Sequence, residues 1–538
     1  MADTGQTEKT TFTREATGLV REIGAWPSFF ATWFLVTGGV PIFILTYFSS
    51  YPGANFPLIF VLALFPTLAL AVLYTIFSIS MPRSGGDYVY VSRGLHPFLG
   101  FVNSFSLFAA FLISNGVYAV FAVYYVGYHL STQGIVDNAP SLLSLGSTIL
   151  NPTYLFVLAV IFLIIAFLVA VIRPRYAWSL IFWAGLITLV ATVVMFVALA
   201  TIQQGAFQAA YDKFIAANNA TLSQGFSNIT GYQNTITAGG WAPPSDMLAA
   251  SLLAFPLAWY SYTWYTLPST WAGEIKHARR SMPITIIGAV IWIALYFIVF
   301  LTLTINAFGQ PFLTSWSTLS TSAPASIPGA VSLYIPFFVY LVYHNPILIF
   351  MIFIALWLPD ILAFPPLIIA STRYLFAWSF DRVLPRKFAE VSDSTHTPIY
   401  ASIVALVVSV LGAALQAFDP KSTPSVLVPI FTVGYLLPAL TAVVFPYIRK
   451  DVYETAFIVK RKVLGVPLIS WLGVVSLVAL IFGTYSLYLG GFANFHVPDY
   501  AFYASAYGLG VVIFAVAYVV RRRQGIDLSL AFKEIPPE

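Results

Sequence analysis

The sequence predicts an all-α polytopic membrane protein with twelve transmembrane helices. Hydrophobic residues make up 59% of the 538 residues and charged residues only 8%, so a soluble fold could not cover its apolar surface. The apolar residues are grouped in long runs, and the basic residues lie in alternate gaps between those runs. By the positive-inside rule, this alternation predicts that both chain ends lie in the cytoplasm.

The apolar segments, numbered 1 to 12 in chain order, are each long enough for a membrane-crossing helix, which needs about 20 mostly apolar residues. They lie near residues 25–48, 56–80, 98–129, 153–172, 176–202, 246–272, 284–307, 346–380, 399–418, 425–448, 467–490 and 499–520.

The basic residues decide one ambiguous stretch, residues 331–380, which is long enough for two segments. Of the 25 Lys and Arg residues, all but Lys213 and Lys421 lie on the predicted inner side. Two segments in 331–380 would move the basic gap after residue 380 to the outer side and invert everything downstream. We therefore predict one segment, preceded by a surface or re-entrant piece around 333–343.

The segments divide the chain into regions that we place in the plasma membrane and its two faces. We predict cytoplasmic tails at 1–24 and 521–538 and an extracellular loop at 203–245. The first five segments occupy 25–202 and the next five occupy 246–448. The last two segments, with the cytoplasmic loop before them, occupy 449–520. The extracellular loop contains sequons at Asn219 and Asn228, which are candidates for glycosylation.

Several classes of function are excluded by composition. The chain has no cysteine, and its six histidines show no metal-ligand spacing, so neither thiolate chemistry nor a metal site is predicted. The basic loops are explained by orientation, and no nucleic-acid-binding module is present. Because the longest gap, 203–245, leaves no room for a sizeable soluble domain, we predict a transporter and not an enzyme.

Two segments contain helix-breaking patterns near their middle. Segment 1 reads Thr37-Gly-Gly-Val-Pro41, and segment 6 has Pro256 and Pro268 around the polar aromatic run Trp259–Thr266. Backbone groups freed inside a membrane are tolerated only where protein or a wet cavity meets them. Breaks at matching positions in two halves of the chain predict inverted repeats around a midplane binding site.

Three motifs carry a resemblance to a known family. Met81–Phe101 contains Pro-Arg-Ser-Gly-Gly-Asp-Tyr, Ala272–Pro283 reads Ala-Gly-Glu-Ile-Lys-His-Ala-Arg-Arg-Ser-Met-Pro, and Ala370–Pro385 is followed by Thr397-Pro398. All three are predicted to lie on the cytoplasmic side, after segments 2, 6 and 8. In this order they resemble the amino acid-polyamine-organocation (APC) permeases over about residues 20 to 450.

The resemblance implies a five-plus-five inverted repeat, the leucine-transporter-like fold, with a substrate's carboxylate and amino groups bound at the breaks of helices 1 and 6. The carboxylate role falls on Thr37, Gly38, Gly39 and Val40, and the amine or side-chain role on Tyr260, Tyr262, Thr263 and Trp264. Trp264 stands where family members have a small Gly.

The same motifs supply candidates for a cytoplasmic gate. Gly85 and Gly86 permit a tight turn, and charged or hydroxyl-bearing side chains lie at the inner ends of the segments. The gate candidates are Gly85, Gly86, Tyr88, Arg93, Glu274, Arg280 and Arg373, with Glu274 paired to an Arg. The alternative is that these charges only mark the membrane interface and hold loops.

Asp360, after Pro359 in segment 8, is a carboxylate inside the membrane. Such a group is expensive to place there, so it is a candidate proton carrier or a counter-charge for a cationic ligand. The alternative is a helix N-cap facing a wet vestibule. Sodium coupling is less favoured, because the following residues read Phe364-Pro-Pro-Leu-Ile-Ile.

We therefore predict a secondary active transporter of amino acids or related amines, working by proton symport and alternating access. No cofactor is expected; the proton motive force supplies the energy, and the partners are a small-molecule substrate and the lipid bilayer. The alternatives are a carrier of a polyamine, nucleobase or small amide, an exchanger, and a channel or non-transporting scaffold.

Overall fold

The computed structural model describes residues 21–172, 174–222, 229–323, 333–392, 397–453, 461–489, 497–526 and 528. The described residues form a bundle of α-helices. Much of the two predicted tails lies outside these ranges, as does Asn228.

Within the described ranges, eleven helices are long and apolar enough to cross a membrane. They are Ala25–Thr46, Phe56–Ser80, Pro97–Val136, Pro152–Ile172, Arg175–Thr201, Ala278–Phe308, Pro346–Phe380, Ile399–Phe418, Leu427–Ile448, Leu468–Leu489 and Tyr500–Arg523. These correspond to every predicted segment except segment 6. The protein is therefore an all-α, multi-pass membrane protein, while the count of twelve spans and the inverted repeat stay predictions.

Segment 6 is absent from that set because its helix is interrupted. It consists of the short helices Met247–Leu253 and Phe255–Ser261, a series of turns, and the 3-10 helix Leu267–Trp271. Segment 1 is also interrupted, between Ala25–Thr37 and Val40–Thr46. The breaks predicted in segments 1 and 6 are thus confirmed.

Other segments are divided at a single residue that keeps α-region dihedral angles, or change their helical pitch. Segment 8 is divided at Ala363 into Pro346–Leu362 and Phe364–Phe380. Segment 10 is divided at Tyr435 into Ser422–Gly434 and Leu436–Ile448. Segment 7 comprises Ala278–Met282, a π-helical stretch Pro283–Gly288, and Ala289–Phe308.

Shorter elements connect the segments. The helices are Asp87–Gly94, Pro140–Ile149, Gln204–Leu222, Tyr232–Ala238, Gln310–Ser322, Ile335–Tyr343 and Lys450–Tyr453, with a 3-10 turn at Arg386–Ala389. A hairpin pairs the strands Lys462–Val463 and Val466–Pro467 antiparallel, with Lys462 opposite Pro467.

The ambiguous stretch before segment 8 forms a short buried helix, Ile335–Tyr343. Nine residues of α-helix extend about 14 Å, less than half of the hydrocarbon core. His344 then adopts a left-handed conformation with φ 48°, and the Asn345 side chain caps segment 8 by accepting from the backbone N–H of Ile347 and Leu348. The stretch therefore contributes a single long helix, as the basic residues predicted.

The outward faces of the peripheral segments are apolar, as expected where lipid is the solvent. Segments 4, 5 and 11 leave large aliphatic side chains exposed along their length, among them Ile161, Ile165, Val190, Val197, Val478 and Ile481. Segment 3, in contrast, is buried along most of its forty residues.

Segments 3 and 9 approach each other closely at two glycines, Gly116 and Gly412. A Cβ atom on Gly412 would collide with the backbone of Ile113, and one on Gly116 would collide with the backbone of Ser409. The Asn115 side-chain amide also donates to the Ser409 hydroxyl at 3.0 Å. Small residues let the two backbones touch, which is how packing joins helices without a hydrophobic driving force.

We expect Gly412→Ala to destabilise the protein by about 1–3 kcal/mol, because the added methyl group must push two helix backbones apart. The measurement is the thermal unfolding midpoint in detergent. Gly508→Ala in segment 12 is the matched control, since nothing lies within 4 Å of its Cβ position. Equal midpoints for the two variants would contradict the close contact.

The chain just before segment 1 pairs with the chain just after segment 6. Ile23 donates its N–H to the Glu274 carbonyl at 3.1 Å and accepts from the Lys276 N–H at 2.9 Å. These bonds form a short parallel bridge between Ile23 and Ile275. The two interrupted segments are thereby joined at the ends that lie beside the basic gaps, on what we call the basic side of the bundle.

Candidate functional site

The break in segment 1 is built by two glycines. Gly39 adopts a left-handed conformation with φ 64° and packs against the ring of Phe121, so no larger residue fits. The break frees the Leu35 carbonyl, which accepts a hydrogen bond from the Tyr118 hydroxyl at 2.9 Å. The Thr37 hydroxyl instead bonds to its own helix, at the Trp33 carbonyl. Val40 is buried and begins the second half-helix.

The break in segment 6 is centred on Trp264. This residue has a φ of 72°, a left-handed conformation that is strained for a bulky side chain. Its indole is buried and packs on the rings of Tyr118, Tyr260 and Phe431, with centroid distances of 5.6, 5.1 and 5.2 Å. The indole N–H has no hydrogen-bond partner among the described residues.

The two other predicted binding residues of segment 6 have hydroxyls that are already engaged. Tyr262 donates to the Phe60 carbonyl at 3.1 Å, and Thr263 donates to the Tyr260 carbonyl at 2.6 Å. Two of the four candidates in this segment have rings that reach the break of segment 1. Trp264 reaches it through Tyr118, and Tyr260 packs on Phe43 of the half-helix Val40–Thr46, with ring centroids 5.3 Å apart.

Asp360 lies directly against the break in segment 1. Its carboxylate is fully buried, and neither oxygen has a hydrogen-bond partner among the described residues. A Cβ atom on Gly38 would lie 3.2 Å from the Asp360 Oδ1 atom, so the glycine makes room for the carboxylate. The side chains of Tyr118 and Tyr125 in segment 3 lie close enough to interact with it electrostatically.

The position of Asp360 in its helix tests the alternative that this residue is a helix N-cap. Asp360 lies within the helix Pro346–Leu362, and its side chain caps no backbone N–H. The N-cap alternative is therefore wrong. Segments 1, 3 and 8 meet at this carboxylate, and segment 6 reaches the same place through Tyr118 and Trp264.

A second cluster lies on the basic side, and its centre is the pair Arg373–Glu274. The Arg373 Nε and Nη2 atoms donate to the two carboxylate oxygens of Glu274, each at 2.6 Å. Both side chains are buried. This bidentate pair joins the end of segment 8 on the basic side to the chain after segment 6.

Arg280, also predicted for the gate, does not join this cluster. It is exposed near the start of segment 7. His277, with a φ of 51°, turns the chain away between Glu274 and Arg280. The Arg that pairs with Glu274 is therefore Arg373, another of the gate candidates, which lies on a different segment.

The second ion pair involves a residue that sequence reasoning missed. Arg93 donates to Asp381, with distances of 2.8 Å from Nη2 to Oδ1 and 2.7 Å from Nη1 to Oδ2. Tyr88 donates its hydroxyl to the same carboxylate at 2.8 Å. Asp381 directly follows segment 8. Its position as an acidic residue in a gap of basic residues could have indicated an ion pair.

Gly85 and Gly86 hold this cluster together. The Gly85 N–H donates to the Thr270 carbonyl at 2.9 Å. A Cβ atom on Gly85 would lie 2.6 Å from Ala377 in segment 8, and one on Gly86 would lie 2.6 Å from the Ser269 hydroxyl in segment 6. The chain after segment 2 is thus wedged between segments 6 and 8, and we call the whole cluster the inner cluster.

Glycosylation of Asn219 and Asn228 stays a prediction. Asn219 lies in the helix Gln204–Leu222. No group of three or more His, Asp or Glu that could hold a metal ion is found within the described ranges.

Interrupted membrane helices, a buried carboxylate at one break and a cluster of ion pairs on one side are the features of a membrane transporter. Comparison with known families agrees. A family of amino acid permeases matches the chain over residues 23–516, so the chain belongs to that family. No curated protein sequence matches it.

Proposed function

We propose that the protein is a secondary active transporter of amino acids or related amines, coupled to protons by symport and working by alternating access. Family membership supports the class of transporter. The observation that carries the coupling is the Asp360 carboxylate, which is buried against the break at Gly38 and has no hydrogen-bond partner among the described residues.

The electrostatics of the break favour symport of a substrate that has a carboxylate. The half-helix Val40–Thr46 begins at the break, and a helix N-terminus attracts an anion. An ionised Asp360 beside the same break repels that anion; like charges about 5 Å apart at an effective dielectric constant of about 20 repel by roughly 3 kcal/mol. Protonation of Asp360 removes the repulsion, so proton binding and substrate binding favour each other.

The inner cluster supplies a gate for alternating access. Two buried ion pairs join the chain after segment 2, the chain after segment 6 and the end of segment 8. Asp360 and Arg373 lie thirteen residues apart on segment 8, which corresponds to about 20 Å of helix. The gate therefore closes the inner side well away from the coupling carboxylate, and its ion pairs must separate for release.

One observation favours a second candidate, a carrier of a planar solute such as a nucleobase. The rings of Tyr118, Tyr260, Trp264 and Phe431 gather at the break of segment 6, where they offer stacking surfaces. A nucleobase would use these rings and needs no anion site.

The test is uptake into proteoliposomes with an inside-alkaline pH gradient, using labelled amino acids, amines and nucleobases in separate arms. We expect saturable accumulation in the amino acid or amine arms that a protonophore abolishes and that persists without sodium. Accumulation confined to nucleobases would favour the second candidate. Non-saturable flux, or none in any arm, would refute a carrier.

A further inference from the structure

The inner cluster contains a third carboxylate, Asp87, at the start of the helix Asp87–Gly94 between segments 2 and 3. Its side chain is buried. It accepts a hydrogen bond from the Tyr374 hydroxyl of segment 8 and a longer one, at 3.5 Å, from the Asn103 amide of segment 3. Both contacts are with uncharged groups.

The charges of the inner cluster leave Asp87 without a counter-charge. Arg373 is engaged bidentately by Glu274, and Arg93, on the same helix as Asp87, is engaged by Asp381. No basic side chain pairs with Asp87 in the described ranges. The groups that face it from the packed segments are hydroxyls and an amide: Tyr74 of segment 2, Asn103 of segment 3, Tyr374 of segment 8 and Tyr435 of segment 10.

We infer that Asp87 is a second proton-binding site, which holds a proton while the inner cluster is closed and releases it when the cluster opens to water. This goes beyond the proposed function, because it links the state of the gate to a proton whatever the solute is.

The physical basis is the cost of burying an unpaired charge. In the closed cluster, burial raises the pKa of Asp87 to about 6 from 3.8, and the hydrogen bonds from Tyr374 and Asn103 lower it only in part. In an open, hydrated cluster the carboxyl returns to its ordinary pKa and passes its proton to water. By linkage, loss of the proton shifts the balance from closed to open by on the order of a hundred-fold.

The gate can be followed by thiol labelling, because the chain has no cysteine of its own. Ser269→Cys places a thiol in the buried inner cluster, beside Gly86. Gln524→Cys places one at an exposed position of the same side and serves as the reference for the intrinsic titration of a thiol. The readout is the ratio of the two rates of alkylation by N-ethylmaleimide.

We expect this ratio to rise about tenfold or more between pH 5 and pH 8, and to stay low at every pH when Asp87→Asn is added. Asp87→Glu, which keeps a titratable carboxyl group, should retain a pH-dependent ratio and shows whether loss of folding explains the Asn result. A flat ratio in the otherwise native chain overturns the inference, as does an unchanged rise with Asp87→Asn.

The outcome is separable from that of the uptake assay. Proton-driven uptake together with a flat labelling ratio refutes the role of Asp87 and leaves the proposed function standing. A labelling ratio that depends on Asp87 without any proton-driven uptake does the reverse.

The thermal stability of the protein should also depend on pH through Asp87. The pKa of Asp87 is about 6 in the folded protein and 3.8 in the unfolded chain. The stability that protonated Asp87 gives to the folded protein is therefore fully present below pH 4 and is lost as the pH rises through 6. Relative to the native chain, Asp87→Asn should therefore gain in thermal midpoint between pH 4 and pH 7.

Asp451→Asn is the control with the opposite sign. Hydrogen bonds from Arg449 hold the pKa of Asp451 below its usual range, so the stability from Asp451 is present above pH 4 and is lost in acid. A midpoint difference for Asp87→Asn that does not change with pH would contradict the buried, unpaired carboxyl.

Discussion

Asp360→Asn is expected to abolish accumulation of solute against its gradient while leaving exchange of solute across the membrane. The amide cannot take up a proton, so the proton gradient no longer drives the cycle, yet the neutral side chain resembles the protonated state in which substrate binds. We expect the accumulation ratio to fall to about 1 and substrate affinity to lose its pH dependence, both measured in proteoliposomes.

Asp246→Asn is the matched control. Asp246 is exposed and caps the helix Met247–Leu253, and Asn caps helices as well as Asp does. Accumulation should be unchanged in this variant. If Asp360→Asn also accumulates solute normally, Asp360 has no part in coupling and the proposed symport mechanism fails.

Glu274→Gln is expected to have the largest effect on stability, a loss of about 3–5 kcal/mol, because it leaves the buried Arg373 guanidinium without its counter-charge. Combining it with Arg373→Met should recover much of that loss, since both charges are then gone. Thermal unfolding of the two single variants and the double variant gives the coupling energy directly.

The partly exposed pair Arg449–Asp451 provides the comparison. Its N–O distance is 2.7 Å, but Asp451 is largely exposed, so Asp451→Asn should cost about 1 kcal/mol or less near neutral pH. Additive effects of the Glu274 and Arg373 substitutions, or a loss as small as that of Asp451→Asn, would show that the inner pair does not hold the cluster closed.

The helices themselves were largely predictable, because length and apolarity decide what crosses a membrane. Segment 2 was predicted at 56–80 and is Phe56–Ser80. Segment 3 was predicted to end at 129 but continues to Val136. Its last turns contain His129, Ser131 and Thr132, which are polar but buried inside the bundle. The apolar run in the sequence therefore ends before the helix ends.

The site was predictable where local sequence determines it, and not where the fold brings distant residues together. Gly38-Gly39 followed by Pro41 indicated a break, and the chain is interrupted there. No local pattern indicated that Asp360 would lie against Gly38. Nor did any pattern pair Glu274 with Arg373 in preference to the closer Arg280, because that choice depends on how segment 8 packs beside segment 6.

The backbone bridge at Ile23 has a mechanical consequence. Its two hydrogen bonds tie the start of segment 1 to Glu274 and Lys276, just beyond segment 6. A displacement of either interrupted helix at this end would move the other one too, so the two helices would move as one unit. The Glu274 carbonyl accepts the hydrogen bond from Ile23, and the Glu274 carboxylate binds Arg373. This one residue therefore connects both interrupted helices to segment 8.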